Sequence, residues 1–161
     1  MAISNGPNLG IMVNGALGDQ HYNQFMSFLR AVDGLLMGHA KSATTTAQPA
    51  SPADGDVYVL PASPTGTNWS GQGQRIARYS SVATAWEFFV PKKGWTISVE
   101  DTNSTYWYDG SAWKFLRGYG TTANRPAASA ALIGGQYFDT TLGKPIWSTG
   151  SAWVDATGLA V

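Results

Sequence analysis

Two histidines, ten carboxylates, seven tryptophans and no cysteine are the groups that could carry chemistry in this 161-residue sequence. His21 and His39 stand eighteen residues apart. Neither has a second imidazole or a carboxylate three or four residues on, the spacing at which a helix would bring two metal ligands together. Without cysteine there is no thiol nucleophile, no thiolate zinc site and no disulfide. Glycoside hydrolysis needs two carboxylates facing one another across a bound sugar. Only Glu87 and Glu100 fall within strand-like runs. The remaining acids sit at turns or caps, where Asp is used for local hydrogen bonding. Gly71-Gln72-Gly73 lacks the Gly-Lys-Ser/Thr continuation of a phosphate loop and reads as a turn. The expectation is a protein that binds and assembles, not an enzyme, with no catalytic residue, metal or cofactor.

Composition narrows the partners. Ten basic and ten acidic residues leave a formal net charge of zero. Charged residues make up 12% of the chain, about half the usual ~25%. With no basic run, a nucleic-acid partner is not expected. No apolar stretch reaches the ~18 residues of a membrane span. The opening MAISNGPNLG has neither a basic nor an apolar leader segment, so no signal peptide is expected. Aromatic residues are 12% and apolar ones 43%, which is not the pattern of disorder. Few charges beside many large rings point to surface buried against other chains.

The elements that must position these residues follow from periodicity. Residues 1–17 carry Asn, Gly and Pro at close intervals and read as an irregular docking arm. Over 18–39 the apolar positions Tyr22, Phe25, Leu29, Val32 and Leu36 step by 3, 4, 3 and 4, the seam of a self-associating helix. These five are the candidate oligomer interface. Residues 40–53 are small, with Pro49 and Pro52, and read as a linker. From 54 to 117 short aromatic and β-branched runs alternate with turn dipeptides such as Asp54-Gly55 and Asp109-Gly110, an all-β pattern. A second linker is expected over 118–133 and a small β tip module over 134–161.

An internal repeat runs through the β region. At an offset of 40, Gly94 falls on Gly134, Tyr106-Trp107 on Ile146-Trp147, and Gly110-Ser111-Ala112-Trp113 on Gly150-Ser151-Ala152-Trp153. A weaker third copy begins at Gly55-Asp56-Val57-Tyr58 and ends on Ala85-Trp86. Each unit reads as a strand followed by a hairpin whose last strand carries a Trp. So small a unit cannot bury its own aromatic face and must stack on a neighbour. The tip module has the least chain to cover its rings. Trp147, Trp153 and Tyr137 are therefore the candidate glycan or receptor contacts, since a Trp or Tyr beside polar groups can stack on a sugar.

These residues also carry a resemblance. Asn8-Leu9, Asn14-Gly15, His21 and Leu29-Arg30-Ala31-Val32-Asp33-Gly34 lead into Pro49-Ala50-Ser51-Pro52-Ala53-Asp54-Gly55-Asp56-Val57-Tyr58. Trp69-Ser70-Gly71, Ala85-Trp86-Glu87-Phe88, Gly94-Trp95 and Tyr108-Asp109-Gly110-Ser111-Ala112-Trp113 follow in the same order. Over about residues 8–117 this resembles an uncharacterised domain family of phage and gene-transfer-agent virion proteins. Residues 120–158 are similar to a short module near the ends of phage tail-fibre and other appendage proteins. The resemblance implies a virion structural protein: a tail-fibre or other appendage component, or a capsid head-fibre or decoration protein. It implies a homotrimer, expected to join other tail, baseplate or capsid proteins through the N-terminal arm and to be assembled in the host cytoplasm; a glycan-binding adhesin module that meets host surface glycan is the alternative reading. The fold expected is mainly β with one N-terminal α-helix, built of small antiparallel hairpin repeats.

Overall fold

The structure, a computed structural model, describes Phe25, Phe28, Leu29, Val32, Leu36 and residues 38–161. The expected docking arm, Tyr22 and most of the expected helix lie outside the described residues. Phe25, Phe28, Leu29 and Val32 have helical backbone, and the Leu36 N–H donates to the Val32 carbonyl at 2.8 Å. His39, expected at the helix end, is the first residue of a strand.

Among the described residues ten strands follow, and the protein is mainly β. After β1 (His39–Ala40) come three meanders. The first is β2 (Val57–Val59), β3 (Ile76–Ser80) and β4 (Ala85–Phe89). The second is β5 (Thr96–Val99), β6 (Ser104–Tyr108) and β7 (Trp113–Gly120). The third is β8 (Ala131–Asp139), β9 (Lys144–Ser148) and β10 (Trp153–Val154). The first meander is a sheet of its own, and the other two join β1 in one sheet of order β1-β5-β6-β7-β8-β9-β10. Pairing within each meander is antiparallel. Not every pairing follows the antiparallel expectation: β1 with β5 and β7 with β8 are parallel.

The repeat is visible in the register. Thr96 pairs with Trp107 and Ile97 with Tyr106; forty residues on, Gln136 pairs with Trp147 and Tyr137 with Ile146. The hairpin Trp stands opposite the last residue of the preceding strand in the second and third units, Trp113 opposite Tyr108 and Trp153 opposite Ser148, while in the first Trp86 is opposite Tyr79, one pair further from the turn. The turns match as well. Asp109 Oδ1 accepts from the Ser111 and Ala112 N–H groups, and Thr149 Oγ1 accepts from the Ala152 N–H. Both turns then need a left-handed residue, supplied by Gly110 (φ 106°) and Gly150 (φ 88°).

Alternation along the strands sorts side chains into three cores. Ala40, Val57, Val59, Ile76, Ile97 and Val99 fill the space between the two sheets. On the far side of the first meander, Trp69 from the β2–β3 loop covers Tyr58, Ala77 and Trp86. Its ring lies 5.2 Å from Tyr58 and 5.1 Å from Trp86, the latter edge-on. Phe115, Tyr137, Ile146 and Trp153 form the third core under Ala128 and Ala131. The stretch 118–133 thus contains the end of β7, two 3-10 turns (Thr122–Asn124 and Ala128–Ala130) and the start of β8.

Trp69 is fully buried and, with Leu60, covers the far face of the first meander. Replacing it by Ala is expected to cost about 3–5 kcal/mol by transfer and cavity terms together. Urea unfolding checks this, and a loss under about 1 kcal/mol would mean the loop does not roof the core.

Candidate binding surface

The large sheet has one face on the cores and one facing outward. Register places the outward side chains in rows. Ser98 pairs with Thr105, Thr105 with Arg117, Arg117 with Gln136, and Gln136 with Trp147. These five strands carry about 19 Å of one continuous row at ~4.8 Å per strand, and it runs on to His39 opposite Ser98 and Val154 opposite Trp147. A second row holds Thr96, Trp107 and Lys114. A third holds Tyr119 beside Phe138, with Pro145 next. Tyr119 is 55% exposed and Phe138 46%.

The row depends on a bulge. Phe115 pairs with Tyr106, but Arg117 pairs with Thr105, so Leu116 is the extra residue on β7. After the bulge the alternation restarts: Gly118 and Gly120 face inward, and Arg117 and Tyr119 outward. Both glycines are required by close approach. A Cβ on Gly118 would meet the Ser104 side chain at 2.9 Å, and one on Gly120 would come within 2.5 Å of the Tyr137 hydroxyl.

The outward face is shaped into adjoining depressions. One of about 390 Å³ is lined by Thr105, Arg117, Tyr119, Gln136 and Phe138. Its neighbour of about 360 Å³ shares Thr105 and Arg117, continues to Thr96 and Ser98, and is bordered at its far end by Leu36 of the expected seam. Beyond Tyr119, round the strand ends, lies a third of about 370 Å³, lined by Asp101, Asn103 and Asn124 and reaching the inward-facing Gly120 and Tyr137. Asn103 has φ 46°, held at the tight β5–β6 turn. At the other edge His39 faces Glu100 at 3.5 Å, an exposed pair worth little to stability.

Beneath the third depression a buried carboxylate fixes the crossover from β7 to β8. Asp139 is fully buried and accepts from the Thr122 hydroxyl at 2.9 and 2.8 Å and from the Thr141 and Leu142 N–H groups. Arg125 Nη1 lies 3.7 Å from it. Burial pushes the Asp139 carboxyl up, but the Thr122 hydroxyl, the two N–H donors and Arg125 outweigh it and hold it below the usual carboxylate range. The Tyr137 hydroxyl donates to the Thr121 carbonyl at 2.9 Å and pins the same crossover.

The sequence-expected contact residues part company here. Tyr137 is 2% exposed and Trp153 5%, both in the core, with the Trp153 indole N–H on the Pro126 carbonyl. Neither offers a ring face to solvent. Trp147 does lie on the outward face, in the long row between Gln136 and Val154. Of the expected oligomer seam, Phe25, Leu29 and Leu36 are exposed, with Phe28 beside them, and Val32 is half-buried. The outward row itself was not anticipated, because Arg117 and Tyr119 straddle the boundary of an expected linker. The legible signal was the alternation of glycine with large side chains at Arg117-Gly118-Tyr119-Gly120. Among the described residues no group of three His, Asp or Glu is placed to hold a metal, and no helix is long and apolar enough to cross a membrane.

Asp139 makes the β7–β8 crossover acid-sensitive. Its folded-state pKa is depressed, so its stabilisation is present above the ordinary carboxylate range and is lost as pH falls below about 4. Urea midpoints measured from pH 7 downward should fall in that window. Asp139→Asn should be less stable at pH 7 and lose less on acidification. Equal pH slopes for the two proteins would contradict the assignment.

No curated protein matches the chain. A family model does, over residues 27–114, from within the expected helix to the second meander's hairpin Trp. That span covers more than half of the sequence, so the chain belongs to the family described as a protein of unknown function, DUF2793.

Proposed function

We propose that this chain is a phage virion structural protein, a tail-fibre or other appendage component that assembles as a homotrimer and helps the particle attach to its host. The reading combines the resemblance of residues 8–117 and 120–158 to virion modules with one structural observation. Phe25, Phe28, Leu29 and Leu36 carry helical or turn backbone and are between 40% and 75% exposed. Large apolar side chains at these spacings form a stripe that a single chain leaves in water, and a second and third copy would cover it. The helix over 18–39 would supply the seam of Tyr22, Phe25, Leu29, Val32 and Leu36. The arm over 1–17 would dock to tail, baseplate or capsid proteins, and the β meanders would project from the particle.

Light scattering on the purified protein should give a mass near three chains of 17.1 kDa at micromolar concentration. Leu29→Asp should shift it toward one chain without changing the β-sheet signal in circular dichroism. A wild-type mass of one chain would remove the trimer. Labelling purified particles with an antibody to the β domain tests the virion assignment separately, and unlabelled particles would overturn it.

A further inference from the structure

We infer that the outward face of β5–β8 is a binding site for an oligosaccharide that carries a carboxylate. The attachment part of the reading above is thereby given a ligand class and a location. Three features of the face choose the ligand.

The first is the row of hydrogen-bonding groups. Ser98, Thr105 and Gln136 present hydroxyls and an amide in one cross-strand line. Such groups donate and accept without charge, which suits the hydroxyls of a sugar chain. The line crosses strands at a fixed spacing, so it matches an extended polymer better than a small compact ligand.

The second is the flanking aromatic pair. Tyr119 and Phe138 are direct cross-strand partners, each about half exposed, on the rim of the larger depression. An exposed aromatic pair in a hydrogen-bonded sheet gives a flat apolar platform beside polar groups. The apolar face of a pyranose ring packs on such a platform while its equatorial hydroxyls reach the row. A flexible apolar peptide would use the rings but not the row.

The third is charge. Arg117 stands in the middle of the row and lines both adjoining depressions. No carboxylate lines either depression, and Arg117 makes no ion pair among the described residues. A guanidinium in that position offers paired N–H donors to a planar anion. The acid on this face, Glu100, stands two residues beyond Ser98 at the β1 edge, against His39 at 3.5 Å, and Asp101 lines the third depression past Tyr119 and Asn103; neither lines the two depressions that Arg117 shares. A carboxylate on the ligand would therefore sit over Arg117, with uncharged sugar extending toward Asp101 and Asn124.

The test uses the whole chain and soluble sugars, so its failure leaves virion incorporation untouched. Oligogalacturonate and hyaluronan oligosaccharides are the acidic probes, and maltotetraose is the neutral control. Binding is read by amide shifts in NMR and by tryptophan fluorescence, since Trp107 and Trp147 border the row. At least one acidic probe should bind saturably, shift amides of β5–β8 and weaken with salt, while maltotetraose binds more weakly. Arg117→Gln should weaken acidic binding by roughly tenfold, the size of one charge-assisted hydrogen bond. It should bring acidic and neutral probes together. Tyr119→Ala should weaken both probes. These positions are exposed, and an unchanged amide spectrum elsewhere verifies folding. No binding by either acidic probe, shifts that map away from this face, or acidic binding indifferent to Arg117→Gln would each overturn the proposal.

Discussion

One short stretch of chain holds the two sheets together. Gly38–Ser42 is hydrogen-bonded along both of its edges. On one side the Ser98 N–H donates to the Gly38 carbonyl and the Glu100 N–H to the Ala40 carbonyl. On the other the Lys41 N–H donates to the Val57 carbonyl and the Val59 N–H to the Ser42 carbonyl. Successive residues thus bond to alternate sides, as a central strand's must, although only His39–Ala40 is long enough in its pairing to be a strand. Ala40 is fully buried between the sheets, among Val57, Val59, Ile97 and Val99. A larger side chain would force the sheets apart, because buried space of this kind is close-packed. The Lys41 ammonium meets Asp56 at 2.7 Å just outside, tying the same stretch to the first meander.

With the first two meanders fixed on either side of that stretch, a second clasp follows. The Trp113 indole N–H donates to the Gln74 carbonyl at 2.9 Å, and the Trp113 backbone N–H to Gln74 Oε1 at 3.0 Å. Gln74 holds φ at 64° to do this, a conformation an L side chain adopts only when its surroundings require it. In the third meander the equivalent Trp153 turns its indole N–H to Pro126 on its own crossover. The same Trp position therefore serves two ends: it locks one unit to the previous one, then locks a unit to the chain that leads into it. Both spend the indole donor on a backbone carbonyl, the condition for burying a Trp edge at low cost.

How much of this could be read in the sequence depends on what the physics makes local. The three β units were legible because turn chemistry and strand alternation are local: Asp109-Gly110, Gly150 and the hairpin Trp positions fix a register within about ten residues. The two parallel pairings were not, because nothing near His39 or Gly118 in the chain marks a partner sixty or twenty residues away. A segment whose buried residues are small, as Ala40 and Ser42 are, reads as linker for the same reason that it can be a central strand, namely that it fits where no bulk is tolerated. The contact surface was misread at Tyr137 and Trp153 because aromatic content alone does not give the face. One bulge at Leu116 reverses which residues of β7 look outward, and only the paired register reveals it.

The low charge of the chain now has a location. Sheet faces in water ordinarily alternate core residues with Lys and Glu. Here the outward positions of β5, β6 and β8 are Thr96, Ser98, Thr105, Trp107, Gln136 and Phe138. The exposed edges do not need charge either. β10 is only two residues long, and the C-terminal chain closes over it, with Val154 bridging Ala160 and the Val161 N–H on the Trp153 carbonyl. A broad face with so few charges is costly in a solitary soluble domain, where it promotes association. It is useful on a surface built to meet something, because hydroxyls, amides and rings lose less on desolvation than ammonium and carboxylate groups do. On the binding role proposed for it, the scarcity of charge beside the one cation in the middle of the row would make that face selective instead of merely adhesive.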